Sequence, residues 1–183
     1  MSRRQRAVAS TKERTGEVIA RLKKEYPDAQ CSLGFQNPLQ LLVATILSAQ
    51  CTDARVNMVA KELFKKYRTA ADFAAADAEV FVQEIRSTGF FRNKTRSILG
   101  MANALIERHG GRVPDTMAEL VPLPGVGRKT ANVVLGNAFG KNEGVVVDTH
   151  VARISQLLGL TKQTDAVKIE NDLITIIPRE EWP

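Results

Sequence analysis

The chain has 183 residues, of which 44% are hydrophobic and 25% charged, a balance typical of a globular protein rather than a disordered one. Its longest apolar run, residues 39–47, is far shorter than the roughly 20 residues of a membrane-spanning helix, and the basic N-terminus lacks the apolar stretch of a secretory signal. The two cysteines, Cys31 and Cys51, provide neither a disulfide framework nor a metal-ligand spacing. We therefore interpret each of them as a small buried residue. We expect a soluble cytoplasmic protein.

The net charge of +6 is confined to the N-terminus, because residues 1–24 hold eight basic and two acidic residues. The remainder of the chain is neutral, so any nucleic-acid binding there must come from local patches. One segment of eleven residues contains four basic side chains and no acidic one. These basic residues are Arg86, Arg92, Lys94 and Arg96. They indicate either a nucleic-acid-binding patch or a solvated helix face.

Apolar residues recur at spacings of three and four almost throughout the chain, which predicts helices. The predicted helices lie near residues 10–26, 38–47, 53–64, 69–72, 77–85, 92–109, 114–121, 149–158 and 165–177, and one more begins at the turn 123–127 and ends near residue 139. The β-branched segment 145–147 has no partner strand and is interpreted as an extended connector. The predicted fold class is all-α.

Short polar residues mark several of the predicted helix starts. Asn37 precedes Pro38, a cap followed by a proline in the first turn. The segment 69–72 fits a capping box. Thr52 and Asp53 can each cap the third helix or orient its loop, and we favour Asp53 as the cap.

The most informative segment is Leu-Pro-Gly-Val-Gly-Arg-Lys-Thr-Ala-Asn, residues 123–132. Gly125 and Gly127 can adopt positive φ and let another molecule approach the backbone. The helix that begins here directs its first N–H groups out of the turn, where they can bind a phosphate oxygen without regard to base sequence. The alternative is a chance Pro-Gly turn ahead of a core helix.

Three segments, in order, resemble those of one family. Residues 123–140, LPGVGRKTANVVLGNAFG, resemble the helix-hairpin-helix motif of the endonuclease III branch of base-excision DNA glycosylases. Residues 147–154, VDTHVARI, resemble the aspartate segment of that family, and residues 41–53, LLVATILSAQCTD, resemble the helix end and loop that face DNA. The resemblance extends from about residue 37 to residue 177.

The resemblance implies a two-lobed helix-hairpin-helix DNA glycosylase fold with the active-site cleft between the lobes. Residues 1–26 and 144–183 would form the terminal lobe, which in the family carries an iron-sulfur cluster. Residues 27–143 would form the helical lobe, with the hairpin at about 114–139.

The implied activity is base-excision DNA repair by a bifunctional enzyme, a DNA N-glycosylase and abasic-site lyase. It would remove damaged bases, oxidised pyrimidines by family expectation, and cut the strand by β-elimination. The family's catalytic lysine matches Lys129, an amine that attacks the sugar C1′ and forms a Schiff base. Its aspartate matches Asp148, a carboxylate that stabilises the cationic sugar. The plainer alternatives are a phosphate-binding lysine and a helix-capping aspartate, and Asp148 is expected to cap its helix in either case.

The resemblance also implies how a damaged base leaves the stack. Gln50 would enter the duplex from one side, and Phe90 would wedge it from the other, although Phe90 could instead be a core residue at the start of the long helix. His150 would contact a phosphate or make a structural hydrogen bond. The remaining predicted DNA contacts are Arg92, Lys94, Gly125, Val126, Gly127 and Arg128.

The sequence departs from the family pattern at its end. Most members carry four closely spaced cysteines for a [4Fe–4S] cluster beyond the point where this chain stops, and Cys31 and Cys51 do not match them. We therefore expect no cofactor bound by this chain alone, and favour truncation over a cluster-free variant. The expected partner is double-stranded DNA with damaged bases or abasic sites. We also expect a monomer that does not associate with membranes and that is associated with the nucleoid if the protein is bacterial.

Two rival functions remain open at this point. One is a monofunctional mismatch glycosylase of the same superfamily, against which Lys129 argues because those branches generally lack the lysine. The other is a non-catalytic helix-hairpin-helix DNA-binding module. That reading would leave the Lys129 and Asp148 pair without a purpose.

Overall fold

The structure, a computed structural model, describes the chain from Arg3 to Trp182, with side chains from Ser10 onwards. This range contains ten α-helices, two short 3₁₀ turns and no strand, so the all-α prediction is confirmed. The helices are α1 (Arg3–Glu25), α2 (Pro38–Leu47), α3 (Asp53–Lys66), α4 (Ala70–Ala74), α5 (Ala78–Ile85), α6 (Phe91–His109), α7 (Met117–Leu120), α8 (Arg128–Phe139), α9 (Thr149–Leu157) and α10 (Ala166–Ile176). The 3₁₀ turns are Arg86–Thr88 and Arg179–Glu181.

Two helix starts differ from the prediction. Helix α1 begins at Arg3 rather than near residue 10, because no glycine or proline interrupts a run of good helix formers there. Helix α7 begins at Met117 rather than at Pro114. Its N-cap is Thr116, which is extended with φ = −128° and ψ = 148°, so Pro114 and Asp115 lie before the helix. Lys141 Nζ contacts Asp115 there, at 2.8 Å from its carbonyl oxygen and 2.6 Å from its carboxylate.

The chain divides into two compact units. One is continuous and runs from Cys31 to Lys141. The other is discontinuous and consists of the chain up to Gln30 and from Asn142 onwards.

Helix α2 is the innermost element of the continuous unit. All nine of its residues after Pro38 are buried, which explains the apolar run in the sequence. Helices α6 and α8 both pack against it, and α6 also packs on α4 and α5. Beside them, the rings of Tyr67, Phe73 and Phe81 form an aromatic cluster with centroid distances of 5.1–6.1 Å.

Most of the predicted caps are present. The side chain of Asn37 accepts the Gln40 N–H at 3.0 Å, and Thr69 with Asp72 forms the predicted capping box. The prediction that Asp53 caps α3 is wrong. Thr52 is the N-cap, and Asp53 already lies inside the helix, where its carboxylate accepts a hydrogen bond from the Ser32 hydroxyl.

The discontinuous unit has a small apolar core of its own. Its buried members are Val145, Val147, Ile169, Leu173 and Ile176. Residues 145–147 form no strand, as predicted for an extended connector. Helix α1 packs against α10, and its side chains also bind the C-terminal segment, with the guanidinium of Arg14 donating to the Gly159 carbonyl oxygen at 2.9 Å. None of the helices described is both long enough and apolar enough to span a bilayer.

The cap of α2 generates a stability prediction. Asn37→Ala removes the acceptor of the Gln40 N–H, and we expect a loss of about 1 kcal/mol in the free energy of unfolding. Asn37→Asp keeps an acceptor and is the matched control, with stability close to that of the wild type. Urea unfolding followed by circular dichroism measures both. Equal stability of the two variants would contradict a capping role for Asn37.

Candidate nucleic-acid interface and catalytic residues

The hairpin consists of α7, a turn and α8. Within the turn, the Leu123 N–H binds the Leu120 carbonyl oxygen and the Val126 N–H binds the Leu123 carbonyl oxygen, each at 3.0 Å. Gly125 has φ = +76°, as predicted. The prediction of positive φ is wrong for Gly127, which is the extended N-cap of α8 with φ = −93°. Because glycine has no side chain, it makes no side-chain cap and leaves the positive end of α8 accessible to an anion.

Helix α6 supports this turn from behind. A Cβ atom on Gly125 would lie 2.5 Å from the Ser97 Cβ and 2.8 Å from its Oγ, so only glycine permits this approach. Three residues along α6, Gly100 faces the Pro124 ring, where an added Cβ would meet ring carbons at 3.4 and 3.5 Å. Nothing in the sequence alone marks Ser97 or Gly100 for this contact, because the fold decides which part of α6 meets the turn. The turn therefore packs closely on α6 at two points, where Gly125 meets Ser97 and where Pro124 meets Gly100.

Val126 is not an exposed DNA contact. The prediction for its side chain is wrong, because it is only 5% exposed and belongs to the core of the continuous unit. Its backbone N–H is also occupied within the turn. Val126 therefore anchors the hairpin, whereas Gly125, Gly127 and Arg128 are exposed.

The two predicted catalytic residues both lie at helix starts. Lys129 is exposed and is the second residue of α8, directly after the hairpin turn. Asp148 is half-buried and is the N-cap of α9, where its Oδ1 accepts the Val151 N–H at 2.7 Å. This hydrogen bond confirms the expected cap and holds the carboxylate in one orientation. His150 is exposed in the first turn of α9.

Gln50 and Phe90 share an unusual backbone conformation. Among the described residues, they are the only non-glycine positions with positive φ, at 52° and 47°. Such a conformation costs on the order of 1 kcal/mol for each residue and persists only where the surroundings impose it. Both side chains are exposed, Phe90 by 61%, so the core alternative for Phe90 is wrong. Both residues line one cavity of about 230 Å³, which Ser97 and Gly125 also border.

Lys94 does not lie on the surface, and its prediction as a phosphate contact is wrong. The side chain is 4% exposed, and its Nζ donates to the carbonyl oxygens of Leu47 at 2.8 Å and Thr88 at 2.7 Å. Burial lowers the pKa of Lys94, and the nearby Cys51 opposes that shift. The other three basic residues of its segment, including Arg92, are exposed. The sequence indicated this burial, because Lys94 precedes the buried Ile98 by one helical turn and so lies on the same face of α6.

The residues of this chain do not fit a [4Fe–4S] cluster, which requires four thiolates. Cys31 and Cys51 are half-buried free thiols. Among the residues that the structure describes, no group of three or more His, Cys, Asp or Glu side chains could hold a metal ion.

Two glycines of the hairpin provide a matched test of its geometry. Gly125→Ala combines a positive φ with the clash against Ser97, and we expect it to lower the free energy of unfolding by about 2 kcal/mol. Gly127→Ala is the control, since its φ is negative and no atom lies within 4 Å of an added Cβ. Thermal unfolding of both variants checks the expectation. A Gly125→Ala variant as stable as Gly127→Ala would show that the turn does not require close contact with α6.

Comparisons with known proteins agree with this geometry. The family model described as HhH-GPD superfamily base excision DNA repair protein matches residues 43–179. Endonuclease III from Synechocystis sp. is 55% identical over 182 residues, an alignment that covers 100% of this chain and 83% of that protein.

Two solved structures are similar over most of the chain. One is a non-covalent endonuclease III–DNA complex, with a TM-score of 0.90, 48% identity, and coverage of 93% of this chain and 80% of that one. The other is a trapped endonuclease III–DNA covalent intermediate described as an estranged-adenine complex, with a TM-score of 0.89 and the same identity and coverage. The chain therefore belongs to the HhH-GPD superfamily of base excision DNA repair proteins and, within it, to the endonuclease III family.

Proposed function

We propose that this base excision repair protein is a bifunctional DNA glycosylase and abasic-site lyase in which Lys129 is the nucleophile and Asp148 is the stabilising carboxylate. The observation that carries the proposal is the position of Lys129, exposed in the first turn of α8 immediately after the hairpin turn. A solved relative with 48% identity is a trapped covalent intermediate with DNA, and the formation of such an intermediate requires a nucleophile.

The proposed reaction begins with attack of the neutral Lys129 amine on the sugar C1′. The glycosidic bond breaks, and the damaged base leaves with the bonding electron pair and takes up a proton. Loss of the amine proton and opening of the sugar ring give a Schiff base between Nζ and C1′. Removal of a C2′ proton then expels the 3′ phosphate by β-elimination, and water releases the sugar fragment from the lysine.

Asp148 supports the first of these steps electrostatically. Positive charge develops on the sugar as the glycosidic bond lengthens, and a fixed carboxylate stabilises that charge without reorganisation. The Val151 N–H provides the fixation by binding one carboxylate oxygen. The same hydrogen bond makes Asp148 a structural residue, so any test has to separate its cap from its charge.

The DNA would be held mainly by backbone groups and a few side chains. No side chain caps the start of α8, so its first N–H groups can bind a phosphate oxygen. The exposed Arg92 and His150 are further candidates for phosphate contacts. Gln50 and Phe90 would enter the duplex and fill the place of the extruded nucleotide. Their exposure and their strained backbone support this role, because such strain concentrates at functional sites. The proposed substrates are oxidised pyrimidines such as thymine glycol in double-stranded DNA.

Removal of the nucleophile is the most direct test. We expect Lys129→Gln to lose strand cleavage and borohydride trapping on abasic-site DNA by at least about a thousandfold, because no amine remains to form the Schiff base. Binding to lesion DNA should change by only a few-fold, the effect of one lost charge near phosphates. Lys61→Gln, an exposed lysine change on α3, is the control and should leave both activities intact. Wild-type cleavage by Lys129→Gln would instead make Lys129 a phosphate contact and favour a monofunctional glycosylase.

Two substitutions at Asp148 separate its charge from its cap. Asparagine is also a good N-cap, so Asp148→Asn keeps an acceptor for the Val151 N–H and removes only the charge. We expect Asp148→Asn to bind DNA normally and to lose base excision by about a hundredfold to a thousandfold. Asp148→Ala should lose the cap as well and also unfold at a lower temperature. If Asp148→Asn excises like the wild type while Asp148→Ala does not, Asp148 is only a cap.

A further inference from the structure

Lys94 links the bases of the two loops that carry Gln50 and Phe90. One of its two acceptors, the Leu47 carbonyl oxygen, is at the last residue of α2, three positions before Gln50. The other, the Thr88 carbonyl oxygen, ends the 3₁₀ turn two positions before Phe90. One buried ammonium group therefore holds together the two loops whose exposed residues have positive φ.

The other hydrogen bonds that fix these loops act within each loop. The Ser48 hydroxyl donates to the Thr45 carbonyl oxygen at 2.9 Å, and the Thr88 hydroxyl donates to the Ile85 carbonyl oxygen at 2.8 Å. These bonds shape each turn separately. Lys94 differs because its acceptors are 47 and 6 residues away in sequence, so it fixes the distance between the loops.

A lysine at this position suits a link between carbonyl groups. Leu47 closes α2, where the helix dipole is negative, and its last carbonyl groups lack partners within the helix. An ammonium group carries three donors on a flexible stem and can bind two such oxygens at once. For packing alone, an apolar side chain would avoid the cost of burying a charge. The buried charge thus indicates a role in holding the loops rather than in filling the core.

We propose that Lys94 is a positioning residue that fixes the spacing of Gln50 and Phe90, so that both enter the duplex together. The inference rests on the proposed wedge role of those two residues. Lys94 itself is buried and its Nζ is engaged by the two carbonyl oxygens, so it acts through the loops rather than on the substrate. Its contribution is needed when a stacked, paired nucleotide has to be extruded, and is dispensable when the nucleotide is already outside the stack.

The first experiment compares one lesion in two settings. Single-turnover excision of thymine glycol is measured in a fully paired duplex and in a duplex where the lesion forms a single-nucleotide bulge. We expect Lys94→Met to slow excision from the paired duplex at least about tenfold more than excision from the bulge. The matched control is Ile98→Ala, one turn further along the buried face of α6, which weakens the core but removes no hydrogen bond to either loop. It should slow both reactions equally, and an equal effect of Lys94→Met on the two duplexes would overturn the inference.

The second experiment tests whether Lys94 acts through the wedge residues. In a Gln50→Ala, Phe90→Ala background, adding Lys94→Met should cause no further loss on the paired duplex, because the residues that it positions are already gone. A further tenfold loss would overturn the positioning role and leave the wedge proposal intact. If the Gln50→Ala, Phe90→Ala variant excises paired lesions at the wild-type rate, the wedge proposal itself fails, and this inference fails with it.

Folding and base unstacking are followed in parallel. Fluorescence of a 2-aminopurine placed beside the lesion reports extrusion directly. We expect Lys94→Met to reduce the rise in fluorescence that follows binding, whereas Ile98→Ala preserves it.

If Lys94→Met does not fold, Lys94→Arg takes its place, since arginine keeps the donors but displaces the charge. It should show the same preferential loss on the paired duplex, and equal losses on both duplexes would again overturn the inference.

Discussion

Helix α6 is the constraint on which the proposed DNA-binding side of the continuous unit depends. Phe90 precedes its first residue, Lys94 holds the loop that leads to Gln50, and Gly100 receives the hairpin turn. A helix is stiff and rises about 1.5 Å per residue, so the distance of roughly 15 Å along the axis between positions 90 and 100 is built into the backbone. The proposed wedge residue Phe90 and the hairpin turn are thereby fixed relative to each other by a single element. This is the rigid support that a site for nucleotide extrusion requires.

Charge contributes less to this arrangement than the composition suggests. The net positive charge lies in residues 1–24, and the rest of the chain is neutral. In the continuous unit, the features suited to DNA are a glycine turn, the positive end of α8 and two strained exposed side chains. Backbone N–H groups and helix ends bind phosphate without a large positive surface. A neutral body can therefore serve a protein whose target is a damaged nucleotide rather than a base sequence.

The sequence predicts the helices well because the spacing of apolar residues and short polar caps is local information, as at Asn37 and in the Thr69–Asp72 box. The prediction from sequence fails where a residue distant in the chain determines the environment of a side chain. Ser32 engages Asp53 from 21 residues away, and the burial of Lys94 depends on a carbonyl 47 residues distant. Charge alone assigns Lys94 to the surface. The roles proposed for Lys129 and Asp148 come from the family resemblance, and only the cap at Asp148 could be derived from local chemistry.

The discontinuous unit affects the order in which the parts of the protein can fold during synthesis. The segment from Cys31 to Lys141 contains its own core, so it can fold once it has left the ribosome. Helix α1 is made earlier but finds its partners last, because Arg14 binds Gly159 and Lys23 binds Glu181 across 145 and 158 residues. During that interval the side of α1 that later packs on α10 is without its partner helix, while its arginines and lysines repel one another. The excess of like charge in residues 1–24 therefore lies on the segment that waits longest for its partners.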